Sequence, residues 1–239
     1  ISVALALLLA ALVGDPDRIW RRVPHPVAWF GAAINACDRR FNRGSRKRLR
    51  GAAVLVVLIV LFAAGAAAIA ARAHLVGPYV GIGVEAVLGA ILLSHNSLHV
   101  HVRRVLDAPD LEAARAALQM VVGRDTSSLD EGEVAGAALE TLSESLSDGV
   151  VAPALWFAIA GLPGIVVYKL VNTADSMVGH RTARHQEFGW AAARLDDLLN
   201  IVPARLTALL VAVVAGGARQ FSAVANAARR HVSPNAGWP

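Results

Sequence analysis

The chain has few charged residues and a single cysteine, and both features limit the kinds of protein to which it can belong. Charged residues make up 17% of the 239 residues and hydrophobic residues 56%, with a mean hydropathy of +0.51. Cys37 has no second cysteine to pair with and no histidine–acid pair beside it, so we interpret it as a structural thiol. The chain also lacks the G-x-x-x-x-G-K-[ST] loop and the G-x-G-x-x-G turn, so any ATP would bind without either familiar phosphate loop.

Charge is absent altogether from long segments. Residues 51–71 contain no Asp, Glu, Lys or Arg, and as a helix they would extend ~31 Å, which matches a bilayer hydrocarbon core of ~30 Å. Residues 80–102 contain one acid, Glu85, and residues 149–168 contain no charge. No long strand alternation and no heptad repeat occur. The sequence therefore predicts an all-α, polytopic membrane protein with one membrane-embedded domain over residues 1–239.

Positive charge is concentrated in one short segment. The formal net charge is +5, yet residues 38–50 alone hold seven Lys or Arg and one acid. A short basic loop beside an apolar span is a topogenic signal, so we expect it in the cytoplasm beside phospholipid head groups, and no nucleic-acid partner. We expect the protein in the cell inner membrane, with its active site facing the cytoplasm.

The remaining topology follows from that loop. Residues 51–71 leave the cytoplasm and residues 80–102 return, which makes residues 103–148 a cytoplasmic excursion. Asp110 is a predicted helix N-cap, and Ser128 with Glu131 a predicted capping box. Residues 149–168 contain Pro153 and a GLPG run, so we predict a broken or re-entrant segment lining a protein cavity.

Two groups of ionisable side chains in the first 150 residues are candidates for a functional role. Asp15 and His25 lie in a Pro- and Gly-rich break between apolar runs, where a turn with an incidental histidine is the alternative. Glu140 and Glu144, one helical turn apart, repel each other unless a cation lies between them. With Asp148 they could hold Mg²⁺ together with phosphate oxygens, although a solvated acidic helix face fits the spacing equally well.

Residues 168–200 form the most informative stretch. On a helix, Lys169, Asn172 and Ser176 share one stripe with Asp175 beside it, and such groups at membrane depth usually serve a substrate or an ion. Arg181 and Arg184 follow and could hold phosphate or carboxylate. The alternative is a polar helix face that snorkels at the membrane surface.

The start of the next helix adds a second acidic group. Asp196 and Asp197 could chelate Mg²⁺-diphosphate, and Arg194 reaches Asp197 at i,i+3. Pro203 fits the first turn of a following helix, in which case Asn200 or Ile201 belongs to its cap region.

These residues resemble the adenosylcobinamide-phosphate synthase family of cobalamin biosynthesis, also called the CobD/CbiB family. Any one matching block is weak, but their order and spacing cover nearly the whole chain. The blocks are GDP (14–16), HPV (25–27), VGRDTSSLDE (122–131), ETLSESLSDGVVAP (140–153), GLPG (161–164), YKLVNTADSMVGHR (168–181), FGWAAARLDDLLNIVPARLTALL (188–210) and SPNAGWP (233–239).

The resemblance implies a membrane ligase that uses ATP and Mg²⁺ and joins aminopropanol phosphate, or aminopropanol, to the free propionate of adenosylcobyric acid. It also implies a chain shortened at both ends, and association with other pathway enzymes or with itself. On this reading we assign catalysis to Asp175, Lys169, His25 and Arg181. Substrate binding is assigned to Asn172, Ser176, Arg184, Arg194 and Asp15, and Mg–ATP binding to Glu140, Glu144, Asp148, Asp196 and Asp197.

Three other functions are weighed against the ligase. One is a non-catalytic membrane sensor like the AmpE-type relatives, and corrinoid-stimulated ATP hydrolysis would exclude it. Another is a small-anion transporter, which predicts inverted repeats, but residues 168–200 have no second copy in the chain. A prenyltransferase would need a second aspartate-rich motif facing Asp196 and Asp197, and residues 140–148 are a loose substitute.

Overall fold

A computed structural model of the chain describes residues 1–13, 20, 24–93, 103–120, 122 and 125–214. These residues form helices, turns and loops, with no strand among them. The helices, in chain order, are α1 (Ser2–Val13), α2 (Pro26–Phe41), α3 (Lys47–Val76), α4 (Pro78–Leu92), α5 (Leu111–Gln119), α6 (Glu131–Leu146), α7 (Ala152–Val178) and α8 (Trp190–Val214). A π-helical turn, Ser147–Val151, joins α6 to α7.

The described residues include helical stretches suited to a membrane. By length and composition alone, three helical stretches could cross one: Lys47–Val76, Glu131–Val178 and Trp190–Val214. On α3 the side chains of Val56, Val60 and Leu61 are more than half exposed. An apolar surface of this kind is unfavourable in water and suits lipid tails. The protein is therefore an all-α, polytopic membrane protein, as its sequence predicts.

Helices α3 and α4 form an antiparallel pair. They meet at Gly77-Pro78, where Pro78 occupies the first turn of α4 and its missing N–H costs nothing. We call the end of the bundle that carries residues 39–50 the basic end; α3 runs away from it and α4 runs back. α4 ends at Leu92, and residues 94–102 of the predicted return segment lie outside the described residues.

Helix α7 folds back on itself. Its backbone leaves helical geometry at Ala160 and at Gly161, which has φ 61° and ψ −153°, a region that glycine tolerates because it lacks a Cβ. The Trp156 carbonyl oxygen lies 2.2 Å from the position of a Cβ added to Gly164. Eight residues of straight helix would separate these groups by about 12 Å. Residues 147–178 therefore form what we call the re-entrant hairpin, with a first arm (147–159), a tip (160–161) and a second arm (162–178).

Helix α8 passes through a proline. Pro203 lies inside α8, so the prediction that it starts a new helix capped near Asn200 is wrong. A proline leaves the carbonyl four residues earlier, here that of Leu199, without its helical donor. The indole Nε1 of Trp156 donates to that oxygen at 3.1 Å. This bond from the first arm satisfies the carbonyl and helps α8 continue.

The excursion has a small core of its own. Val105, Leu118 and Val134 are buried together in it, apart from the main core that joins α1–α4, α7 and α8. Asp110 caps α5 as predicted, accepting from the Ala113 N–H at 2.8 Å. The predicted capping box of Ser128 and Glu131 is wrong, because the observed box lies two residues further along the chain. Asp130 and Glu133 form it, because the helix begins at Glu131.

Candidate active site

A buried lysine lies at the centre of the polar groups that the re-entrant hairpin and α8 bring together. Lys169, on the second arm, is only 7% exposed. It interacts electrostatically with Asp148 on the π-helical turn and with Asp196 on α8. Asp175, about 1.7 turns beyond Lys169, interacts with both of those acids. We call these four residues the Lys169 cluster, and the hairpin is what makes it, since a straight helix would separate Asp148 from Lys169 by about 31 Å.

A chain of hydrogen bonds fixes Asp196. The Tyr168 hydroxyl donates to Asn200 Oδ1 at 3.0 Å, and Asn200 Nδ2 donates to Asp196 Oδ2 at 3.0 Å. The other carboxylate oxygen, Oδ1, accepts from Asn172 Nδ2 at 3.4 Å. Tyr168 is 1% exposed and Asn200 is 7% exposed, so these hydrogen bonds are shielded from solvent. Tyr168 was not among the predicted site residues; its position one helical turn before Asn172 was the available signal.

Part of the predicted stripe joins the cluster. Lys169 and Asp175 belong to it, and Asn172 donates to its Asp196. Ser176 is exposed, and its hydroxyl donates to the Asn172 carbonyl of its own helix at 3.0 Å. The role of Ser176 in binding substrate stays a prediction.

The predicted metal-binding acids form a line leading to the cluster. Glu140 and Glu144 are exposed on α6, and Glu144 interacts electrostatically with both Glu140 and Asp148. Within the described ranges, no three His, Cys, Asp or Glu side chains are placed to hold a metal ion by themselves. Mg²⁺ is commonly held by one or two carboxylates plus substrate phosphates, and these acids fit that mode. The Mg–ATP site, including Asp196 and Asp197, stays a prediction.

The three predicted arginines lie at the basic end. Arg194 is paired with Asp197 at 3.7 Å, the i,i+3 contact that the spacing predicts. Arg181 is exposed in the loop between α7 and α8. Arg184, in the same loop, is paired with Asp38 instead of facing the Lys169 cluster. Their roles toward substrate are not tested by this geometry.

Asp38, which the sequence analysis did not single out, anchors that loop to α2. It is buried, accepts from Asn42 Nδ2 at 2.8 Å and from Arg184 Nη2 at 2.5 Å, and lies 3.5 Å from His185 Nε2. Burial by itself would raise the pKa of Asp38. The hydrogen bonds from Asn42 and Arg184, with the charges of Arg184 and His185, outweigh burial and lower this pKa below its ordinary value.

His25 is fully engaged by backbone groups. Its Nδ1 accepts from the Val27 N–H at 3.2 Å, which caps α2, and its Nε2 lies 3.0 Å from the Ile91 carbonyl oxygen. Since a carbonyl only accepts, Nε2 carries the proton. His25 therefore ties α2 to α4, while its predicted catalytic role is untested. Asp15 lies outside the described residues.

Comparison with known proteins gives a consistent result over the whole chain. The model of the CobD/Cbib protein family matches residues 3–239. A cobalamin biosynthesis protein CobD from Sinorhizobium sp is 47% identical over 251 residues, covering 99% of this chain and 77% of the relative. A protein of the same name from Rhodobacter capsulatus is 48% identical over 242 residues, covering 99% of this chain and 76% of the relative. No solved structure matches the chain significantly.

Proposed function

Because the chain belongs to the CobD/Cbib family of cobalamin biosynthesis proteins, we propose that it is the ligase that joins an amino alcohol to a corrinoid carboxylate at the expense of ATP. The acceptor is the free propionate of adenosylcobyric acid. The amine is (R)-1-aminopropan-2-ol or its phosphate. The product is adenosylcobinamide or adenosylcobinamide phosphate.

The Lys169 cluster is the observation that carries this proposal. A buried ammonium with three carboxylates at membrane depth is costly, and groups of this kind are usually kept for function. Amide synthesis brings a carboxylate and an amine together, and the cluster offers a cation for the first and anions for the second. A passive scaffold has no need of such an arrangement.

The reaction needs an activated carboxylate, because a carboxylate and an amine do not condense near neutral pH. Transfer of the γ-phosphoryl group of ATP to the propionate gives an acyl phosphate and ADP. Attack by the amine on that carbonyl then forms the C–N bond and releases inorganic phosphate. Lys169 binds a carboxylate oxygen and stabilises the developing negative charge, and Asp175 accepts the proton that the ammonium must lose before attack.

Glu144 and Asp148 are the residues that would hold Mg²⁺ delivered with ATP. They are one helical turn apart, and a cation between them would relieve their mutual repulsion. When bound, Mg²⁺ neutralises phosphate oxygens during transfer. Arg181 is exposed near the same end of the bundle, where it can contact phosphate.

We place the basic end of the bundle in the cytoplasm of a cell inner membrane. The segment of residues 39–50 holds seven of the 23 Lys and Arg residues and no acid, and such basic segments are retained on the cytoplasmic side. ATP is present there, and the surrounding bilayer can retain a bulky amphiphilic corrinoid.

A coupling assay on the detergent-purified protein tests the proposal. The mixture contains adenosylcobyric acid, aminopropanol phosphate, ATP and Mg²⁺, and mass spectrometry detects the condensed corrinoid while ADP release is measured. We expect product only when all four components are present. Lys169→Met should lower the rate at least about a hundredfold, whereas Glu112→Gln, at an exposed acid on α5, should not change it.

Other outcomes of that assay separate the alternatives. Corrinoid binding without any product would favour a sensor. Absence of both corrinoid binding and product would return the small-anion transporter to consideration.

A further inference from the structure

Asp196 interacts electrostatically with both Lys169 and Asp175, and its surroundings suit a particular ligand. Building on the ligase function proposed above, we propose that these two carboxylates bind the ammonium group of the amino alcohol, with Tyr168 and Asn200 as positioning residues for Asp196. This assigns Asp196 to the amine rather than to Mg²⁺, which the sequence analysis expected there.

The geometry of Asp196 is fixed before any ligand binds. Each of its oxygens accepts one amide N–H, from Asn172 or from Asn200, and Asn200 is held in turn by the buried Tyr168 hydroxyl. A carboxylate oxygen has two acceptor positions, so each keeps one for a further donor. A primary ammonium supplies three such donors without demanding a fixed coordination number.

Lys169 provides an independent sign that a ligand binds here. Only 7% of it is exposed, yet among the described residues its ammonium makes no hydrogen bond and no ion pair within 4.0 Å. Asp148 and Asp196 act on this ammonium electrostatically without hydrogen-bonding to it, so its donors remain available to an anionic oxygen from outside the chain. The substrate carboxylate supplies one, and the site then holds both reacting groups side by side.

Geometry favours an ammonium over a divalent ion at Asp196. Mg²⁺ demands near-octahedral oxygen ligands and keeps several waters, whereas the amides of Asn172 and Asn200 direct N–H groups at Asp196. Glu144 and Asp148, further along the acidic line, receive no side-chain amide N–H from the described residues and remain available to Mg²⁺.

The proton balance is complete. The bound R–NH₃⁺ gives one proton to Asp175, which becomes a neutral carboxylic acid, and the free amine attacks the acyl phosphate carbonyl. The C–N bond forms, the C–O bond to phosphate breaks, and phosphate leaves. The second proton of the amine departs with the phosphate, and Asp175 releases its proton to solvent.

Direct binding of the amine tests the assignment without the reaction. Isothermal titration would use 1-amino-2-propanol alone, without ATP, Mg²⁺ or corrinoid, with 1,2-propanediol as the uncharged analogue. We expect the amine to bind and the diol not to bind. Asp196→Asn should weaken amine binding about tenfold or more, as loss of a charged hydrogen bond predicts, while Glu112→Gln should bind like the wild type.

Steady-state kinetics give a second test that does not depend on Asp196→Asn folding. Tyr168→Phe keeps the carboxylate and removes only its indirect support, so we expect a KM for the amine raised about threefold to tenfold. The KM for Mg–ATP should not change. A merely structural role would alter both constants or neither.

Two results would overturn the assignment. One is a wild-type affinity for the amine in Asp196→Asn together with a raised Mg²⁺ requirement, which would make Asp196 a metal ligand. The other is equal binding of the amine and the diol. Amine binding without coupling in the complete assay would instead contradict the ligase function and leave the amine site standing.

Discussion

At the scale of single residues, the second arm carries both Lys169, which we propose binds the substrate carboxylate, and Asp175, which we propose accepts a proton from the amine. Lys169 is buried, and Asp175, six residues on, is partly buried. Each lies three residues from Asn172, or about 60° around the helix from it, so the two flank that amide on opposite sides. Side-chain length then lets both interact with Asp196.

We predict that Asp175→Asn abolishes coupling while the protein stays folded in detergent. The amide keeps the size and hydrogen bonding of the carboxylate but cannot accept a proton near neutral pH, so a rate loss of at least about a hundredfold is expected. Product formation and gel filtration are measured on the same preparation. Wild-type turnover in this variant would remove Asp175 from the mechanism.

Sequence reasoning at this scale found most charged members of the site. Lys169, Asp175 and Asp196 were identifiable because charge is rare beside apolar segments. Tyr168 and Asp38 were not, because a tyrosine is ordinary in an apolar helix and an aspartate is ordinary beside a basic loop. Their roles depend on Asn200 and Arg184, which are 32 and 146 residues distant in the chain.

At the scale of elements, the re-entrant hairpin depends on the absence of a side chain at Gly164. A Cβ there would stand 2.2 Å from the Trp156 carbonyl oxygen and 2.8 Å from the Ala160 Cβ. We predict that Gly164→Ala forces the arms apart, costs about 1–3 kcal/mol of stability and lowers coupling activity. The melting temperature in detergent and the coupling rate are the measurements.

Gly136→Ala is the matched control for that substitution. Gly136 lies within α6 and a Cβ added to it meets nothing within 4 Å. Alanine favours a helix over glycine by about 0.5–1 kcal/mol, so this variant should be as stable as the wild type or slightly more so. Equal behaviour of the two variants would mean that the close approach at Gly164 is unimportant.

The link between α2 and the α7–α8 loop predicts a dependence of stability on pH. The pKa of Asp38 is lowered in the folded protein: burial raises it, but Asn42, Arg184 and His185 outweigh that effect. A lowered folded pKa means that the ionised carboxylate stabilises the fold above the unfolded pKa of ~3.9. That contribution is lost as the pH falls through the lower folded value.

Melting temperatures of the wild type and of Asp38→Asn, compared from pH 7 to pH 3, test this link. We expect the wild type to be more stable at pH 7 and the difference to shrink below about pH 4. A difference that is constant over the whole range would show that the Asp38 charge does not stabilise the folded state.

At the scale of the whole molecule, the basic end predicts the orientation in the membrane. Ser45 is exposed in the basic loop, and Tyr79 is 87% exposed at the opposite end beside Gly77-Pro78. In a Cys37→Ser background, the Ser45→Cys variant should react with a membrane-impermeant maleimide only from the cytoplasmic side. The Tyr79→Cys variant should react only from the other side, and the reverse pattern would contradict the proposed orientation.

The sequence by itself determined the class of the protein. Long uncharged runs can be stable only in lipid or in a protein core, so the all-α membrane fold follows from composition and run length. The excursion and the break near the GLPG run followed from local signals that proline and glycine carry. Family membership was legible in the order of the matching blocks, and the comparisons confirm it.

Only the tertiary structure decided which polar groups meet. Local spacing placed Asp148 far from Lys169, and the fold at Ala160 and Gly161 brought them together. The same holds for Pro203, whose helix continues because a tryptophan from another element satisfies the carbonyl at Leu199. Hydrogen bonds and charge contacts between residues distant in the chain depend on where the chain folds back, and periodicity along one helix carries no information about that.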